Sequence, residues 1–386
     1  MNITGVKVLE FRRRLDGRSW NPTFRWHERR APLLVVETDA GLTGVGEAWS
    51  RQPQIELVLD DLADRCAPAL LGRIPLDASS ISTCLGAAAT TAPDDWVSAA
   101  SASAVDIALW DLAAQARNEP LWRALGGRSP RVAVYASGGL YRDGASLADL
   151  GREFRAYAED GFTAVKMKVG ALGLEADLAR VRAVRGAIGG HATLWVDAVN
   201  QLTRGNAADW CNALAQAGVT AIQAPLPFDD VAGMGAINAT CMPVIATEAE
   251  HREAAFRSLL DANAVGYLQY CLGLCGGFTK AMRLDEAAAR RRVRTTPQCF
   301  STAVLQAASL HFGAARDNVV AVEYHRFHDH LAEQLPQAMK TVDAGFVVLD
   351  DTPGLGIPAP ALGDQPGGGE VILHRYVIAG DKVSNA

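Results

Sequence analysis

No stretch of this 386-residue sequence gathers enough lysine and arginine to follow a phosphate backbone, and its formal net charge is −6. Nucleic acid is therefore excluded as an expected partner. Long apolar runs are also missing. Met1 to Phe11 carries Lys7 and Glu10 and lacks the hydrophobic block of an export signal. The most apolar stretch, Gly86 to Ala116, is broken by Asp94, Asp95, Asp106 and Asp111, which argues against a membrane span of about 20 apolar residues. The seven cysteines are scattered singly, without the close pairs of a zinc site or a disulfide scaffold. A soluble protein of the reducing cytoplasm is expected. Gly41, Gly44 and Gly46 lack the spacing and the following helix of a dinucleotide loop, so they read as turn glycines and imply no nucleotide.

The sequence does contain two kinds of rhythm. Ile3 to Phe11, Leu33 to Thr38 and Val45 to Trp49 read as a small antiparallel meander, followed by helical patterning from Gln54 to Leu125. From Val132 onward, short β-branched runs alternate with alanine-rich amphipathic helices. The strand candidates are Val132 to Ala136, Ala164 to Val169, Leu194 to Asp197, Ala221 to Gln223, Val244 to Ala246, Gly266 to Gln269, Val293 to Thr296 and Val320 to Glu323. That repetition is the signature of a (β/α)-barrel, which takes about 250 residues. We expect an N-terminal α+β capping domain over residues 1–128 and a barrel over 129–355. The tail, 356–386, should pack back on the cap through a last strand, Val371 to Val377, after the loop glycines Gly367 to Gly369.

In a barrel the chemistry sits at the C-terminal ends of the strands. The second barrel strand ends Lys166-Met167-Lys168, and strand alternation sends both lysines to one side with Met167 on the other. Asp197, Gln223, Glu248 and Glu323 complete an oxygen-rich ring around them. Oxygen ligands on separate rigid strands suit a hard cation such as Mg²⁺. Alternatively, the acids serve as ion-pair partners of the two lysines.

Several spaced motifs carry a specific resemblance. Ser103-Ala104-Val105-Asp106-Ile107-Ala108-Leu109-Trp110-Asp111-Leu112, Glu119-Pro120-Leu121, Leu125-Gly126-Gly127, Lys166-Met167-Lys168, Asp197-Ala198-Val199-Asn200 and Cys275-Gly276-Gly277 together resemble the enolase superfamily, in its mandelate racemase and muconate cycloisomerase branch. The resemblance implies removal of a proton α to a carboxylate, with Lys168 as base and Lys166 as its electrostatic partner toward the substrate. It further implies a magnesium site at positions 197, 223 and 248, a small carboxylate substrate, and assembly into a homodimer or octamer. Cap loops, here Arg14 to Arg30, with Trp20, Asn21, Trp26, His27 and Arg29, and Ala48 to Pro53, would close over the barrel mouth and select the substrate, with Trp20, His27, Arg29 and Trp49 contacting it.

The sequence departs from that pattern at three stations. The second metal position is Gln223 in Ile222-Gln223-Ala224-Pro225, where the family has a carboxylate, so Mg²⁺ binding should be weakened or lost. Cys271 stands at the family's strand-six Asp or Lys position, and Gln298 at its strand-seven His position. Gln298 cannot exchange a proton near neutrality, and Cys271 can only if its surroundings permit a thiolate. A one-base dehydration of a hydroxy acid, a sugar acid or a hydroxylated amino or imino acid, is therefore expected, with Glu323 bonding to the substrate carboxylate. A racemase, epimerase or cycloisomerase, or a barrel that binds a carboxylate without turnover, are the alternatives.

Overall fold

The computed structural model describes residues 1–88, 95–327, 334–365 and 368–379. Gly367 of the tail loop and the last residues of the tail, 380–386, lie outside that set. Near the N-terminus, β1 (Ile3–Arg14), β4 (Glu28–Thr38) and β5 (Thr43–Glu47) form an antiparallel sheet. Between β1 and β4 the chain makes β2 (Ser19–Asn21) and β3 (Phe24–Arg25), a short hairpin where a plain loop was expected. At the other end of the chain β16 (Gly363–Asp364) and β17 (Glu370–Ile378) extend the first sheet, β17 pairing antiparallel with β1.

The second sheet is parallel and runs β13-β12-β11-β10-β9-β8-β6-β14. Its strands are β6 (Arg131–Gly138), β8 (Ala164–Lys168), β9 (Thr193–Asp197), β10 (Ala221–Gln223), β11 (Val244–Ala246), β12 (Tyr267–Leu268), β13 (Arg294–Thr295) and β14 (Val322–His325). Helices follow most of them, as parallel crossovers require. The sheet curls shut where the Val320 amide donates to the Thr295 carbonyl at 2.9 Å and the Glu323 amide to the Pro297 carbonyl at 3.1 Å. These contacts make a modified (β/α)-barrel. A short strand, β7 (Tyr141–Arg142), leaves the barrel to pair with β2, and β15 (Phe346–Val348) pairs antiparallel with β6.

The helix Trp96–Ala116 joins the two layers and explains one of the motifs. It is long and apolar enough to pass for a membrane span, but most of it is buried inside this fold. Its backbone lies directly on β5. A Cβ added at Gly46 would stand 1.9 Å from the Ala104 carbonyl oxygen, so the glycines of this region serve close packing. The polar residues of the helix bond to backbone across the layer boundary. Asp106 accepts from the Thr279 amide at 3.0 Å and from the Thr279 hydroxyl, and Ser103 Oγ accepts from the Gly276 amide at 2.9 Å. Asp111 accepts from Val45 at 3.0 Å and from Leu355 at 2.8 Å. Gly277 has φ 71° and its Cβ would meet Asp106 Oδ2 at 2.3 Å, so only glycine fits beside that carboxyl.

Burial raises the Asp106 carboxyl to about 7 against the Thr279 bonds that favour its charge. The folded chain therefore holds a proton that the unfolded chain releases between about pH 4 and 7. Stability from this group is greatest at the acid end of that window and falls as pH rises through it. This group should lower the melting temperature as pH rises from about 4 to 7, and Asp106→Asn should flatten that drop. Asp106→Ala should cost about 2 kcal/mol or more by stranding a buried N–H and a hydroxyl, measured by chemical denaturation at pH 7.

Candidate active site at the barrel mouth

The parallel register places Lys168 beside Asp197 and Asp197 beside Gln223, so three strand ends present one polar row. Lys166 lies one alternation deeper on the same face, while Met167 is fully buried in the outer core. Both lysines, Gln223, Glu248, Gln298 and Glu323 line a cavity of about 510 Å³ between the barrel mouth and the cap. Its volume is within the range of small-molecule sites.

The two ammonium groups have different partners. Lys166, 1% exposed, is 2.6 Å from Gln223 Oε1 and 2.8 Å from Glu323 Oε1, with its Nζ 5.3 Å from the centre of the Tyr135 ring. Burial works against its charge, but Glu323 and Asp197 outweigh that and hold its pKa above the ordinary lysine value. Lys168 is the more accessible of the two and pairs with Asp197. The other Asp197 oxygen accepts from the Val199 amide at 3.0 Å. Burial, then the neighbouring Asp197 charge, push the Glu248 carboxyl up.

The oxygens that a metal would need are thus largely engaged. Gln223 turns its only amide oxygen to Lys166, and both Asp197 oxygens have partners. Glu248 Oε2 is buried without a hydrogen-bond partner. Among the described residues, no group of three or more His, Cys, Asp or Glu side chains is arranged to hold a metal ion. The donor set as it stands is two carboxylates and one amide, with the amide and Asp197 turned to the two lysines.

Four residues lining the cavity carry buried polar atoms without partners among the described residues: Ser50 Oγ, Glu248 Oε2, Gln298 Oε1 and Glu323 Oε2. Buried polar groups are seldom left unpaired, so these atoms mark where a ligand's hydroxyl or carboxyl groups belong.

The expected substrate contacts divide. Arg29 and Trp49 line the cavity, whereas Trp20 and His27 do not. Trp20 stacks on Tyr141 and donates to Asp143 at 3.0 Å, and exposed His27 packs on Gly17. Asn21 and Trp26 of the same loop, both expected at the barrel mouth, do line the cavity, together with Phe24. Cys271 is also absent from the lining. It is 0% exposed, and burial pushes its thiol well above the ordinary value, so the structure does not bring it to the cavity as a proton carrier. Phe300 and Phe327 complete an aromatic wall with Trp26, at centroid distances of 5.7 Å and 5.8 Å. The sequence offered no periodic signal for either.

Comparison with known proteins agrees with this architecture. Residues 149–359 match the family model described as enolase C-terminal domain-like, and residues 23–126 match the N-terminal domain of mandelate racemase / muconate lactonizing enzyme. The chain is 30% identical to D-galactarolactone cycloisomerase of Agrobacterium fabrum, over 92% of this chain and 96% of that protein. It is 28% identical to arabinonate dehydratase of Saccharolobus solfataricus, over 67% of this chain and 70% of that enzyme. A racemase from Streptomyces coelicolor, solved with bound magnesium, superposes with a TM-score of 0.82 at 26% identity, covering 92% of this chain and 97% of that one.

Proposed function

Because the chain belongs to the mandelate racemase / muconate lactonizing enzyme family of the enolase superfamily, and is as such a lyase or an isomerase, we propose that it is a hydro-lyase dehydrating a small 2,3-dihydroxy carboxylic acid of the sugar-acid kind. One observation carries this reading. Lys168 stands at the cavity wall with Lys166 behind it, while the stations that would hold a second proton carrier are Gln298, which cannot exchange protons, and Cys271, which is sealed away.

Lys166, held by Gln223 and Glu323, offers a fixed positive charge to the substrate carboxylate and to the enediolate that forms from it. Lys168, released from Asp197 as its neutral amine, takes the α-proton and returns it to the departing 3-hydroxyl on the same face. Water leaves, and the enol tautomerises to a 2-keto-3-deoxy acid. Glu323, paired with Lys166 at 2.8 Å, fixes where that ammonium stands against the substrate carboxylate. With Gln223 in place of a carboxylate, the affinity for Mg²⁺ is weakened, and the electrophilic task falls to the Lys166 ammonium.

The similarity to a cycloisomerase over nearly the whole chain favours a second reading, in which the same proton abstraction opens or rearranges a lactone. Incubation of candidate acids and lactones in D₂O separates the two. A dehydratase yields 2-keto acid by carbonyl assay and leaves recovered substrate undeuterated. An isomerase that returns the proton yields no keto acid and enriches the α-position. Deuterium in recovered substrate without keto acid would overturn the dehydratase reading.

A further inference from the structure

The cap contributes to the cavity a second positive pole that the reaction at the lysines leaves unused. Arg29 is 8% exposed and lines the cavity. Its guanidinium lies over the Phe300 ring at 4.9 Å and donates to the Phe300 carbonyl. Among the described residues no carboxylate stands within ion-pair distance of it. Glu47 is the counter-charge it feels most, but the Glu47 oxygens accept from the Thr302 hydroxyl at 2.6 Å, the Thr302 amide at 3.2 Å and the Leu305 amide at 3.0 Å. Arg51 stands at the exposed rim of the same cavity, over Trp96 at 5.1 Å. The described cap residues lining the cavity include these two guanidiniums and no acid. A buried guanidinium without a bonded counter-ion is costly unless an anion completes it.

We propose that the cavity selects substrates with an anionic group at each end, the reacting carboxylate at Lys166 and Lys168 and a second carboxylate or phosphate at Arg29, with Arg51 guarding the entrance. The proposal rests on the reading of the lysines as the seat of the reacting carboxylate. The unpartnered Ser50 Oγ and Gln298 Oε1 on the same lining are available to the hydroxyl groups of the intervening carbons. Arg29 is a specificity residue, since it reaches the substrate away from the bond that breaks.

Titration calorimetry on the intact protein tests this with three six-carbon probes of one configuration: the aldarate, the aldonate and the aldonate 6-phosphate. At least one of the two dianionic probes should bind about tenfold or more tighter than the aldonate, the scale of a charge-assisted arginine contact. The stronger dianion identifies the second group. Arg29→Gln should abolish the preference, weakening the preferred dianion about tenfold more than the aldonate. Arg51→Gln, at an exposed position that leaves the core untouched, should reduce it less. Equal binding of all three probes, no measurable binding of any, or equal weakening of all by Arg29→Gln would overturn the proposal. Calorimetry reads binding without turnover, so a dianion preference with no keto acid formed would sink the dehydratase reading and leave this one standing.

Discussion

Lys168→Ala should lower turnover by about two to four orders of magnitude, the usual contribution of a positioned general base, read as the rate of 2-keto acid formation. Lys168 alone among the cavity's nitrogen bases is both partly accessible and on the strand end facing the carboxylate seat. The side chain also neutralises Asp197, which is 0% exposed, so some stability is lost with it. The Val199 amide still holds one Asp197 oxygen, and the fold should survive, as a melting curve would show. Lys166→Met should behave differently. It strands Glu323 in the barrel interior, where breaking a buried pair typically costs about 3–5 kcal/mol, and it should raise KM as well as lower kcat. A Lys168→Ala protein that turns over substrate at the parental rate would end the single-base mechanism.

The parts of this molecule legible in the sequence are those set by long-range repetition. Eight short, mostly apolar runs, five of them ending in a polar residue, specify barrel strands because a parallel strand buried on both faces must be nearly all apolar until it reaches solvent. The same logic made Lys166 and Lys168 readable as a pair, since period-two alternation leaves Met167 no choice but the opposite face. The hairpin of β2 and β3 was not legible. Two- and three-residue strands have no periodicity to detect, and theirs come from tertiary partners: Trp20 on Tyr141 and Arg25 with Asp143 at 2.6 Å. Which aromatic faces the cavity depends on that hairpin's register, and one residue of shift exchanges the faces. Hence Phe24 and Trp26 line the cavity and Trp20 and His27 do not. The depth of Cys271 was hidden for a related reason, because position along a strand end does not report how far the following loop folds over it.

Gln223→Glu should raise the site's affinity for magnesium. The wild-type amide oxygen is committed to Lys166 at 2.6 Å, and it carries no net charge to draw a cation between Asp197 and Glu248. A carboxylate at that position adds a unit charge worth about 4 kcal/mol per opposing unit charge at 4 Å and an effective dielectric of 20. Part of that is lost to ion dehydration and to the competing lysine. A gain of about a hundredfold in affinity, roughly 2.7 kcal/mol, is what should remain. The readout is independent of turnover: millimolar Mg²⁺ should leave the wild-type melting temperature unchanged and raise that of the variant. Chelation should correspondingly spare wild-type activity. Should wild-type protein show the same magnesium-dependent shift as Gln223→Glu, the amide is a competent ligand and Lys166 is not standing in for the ion.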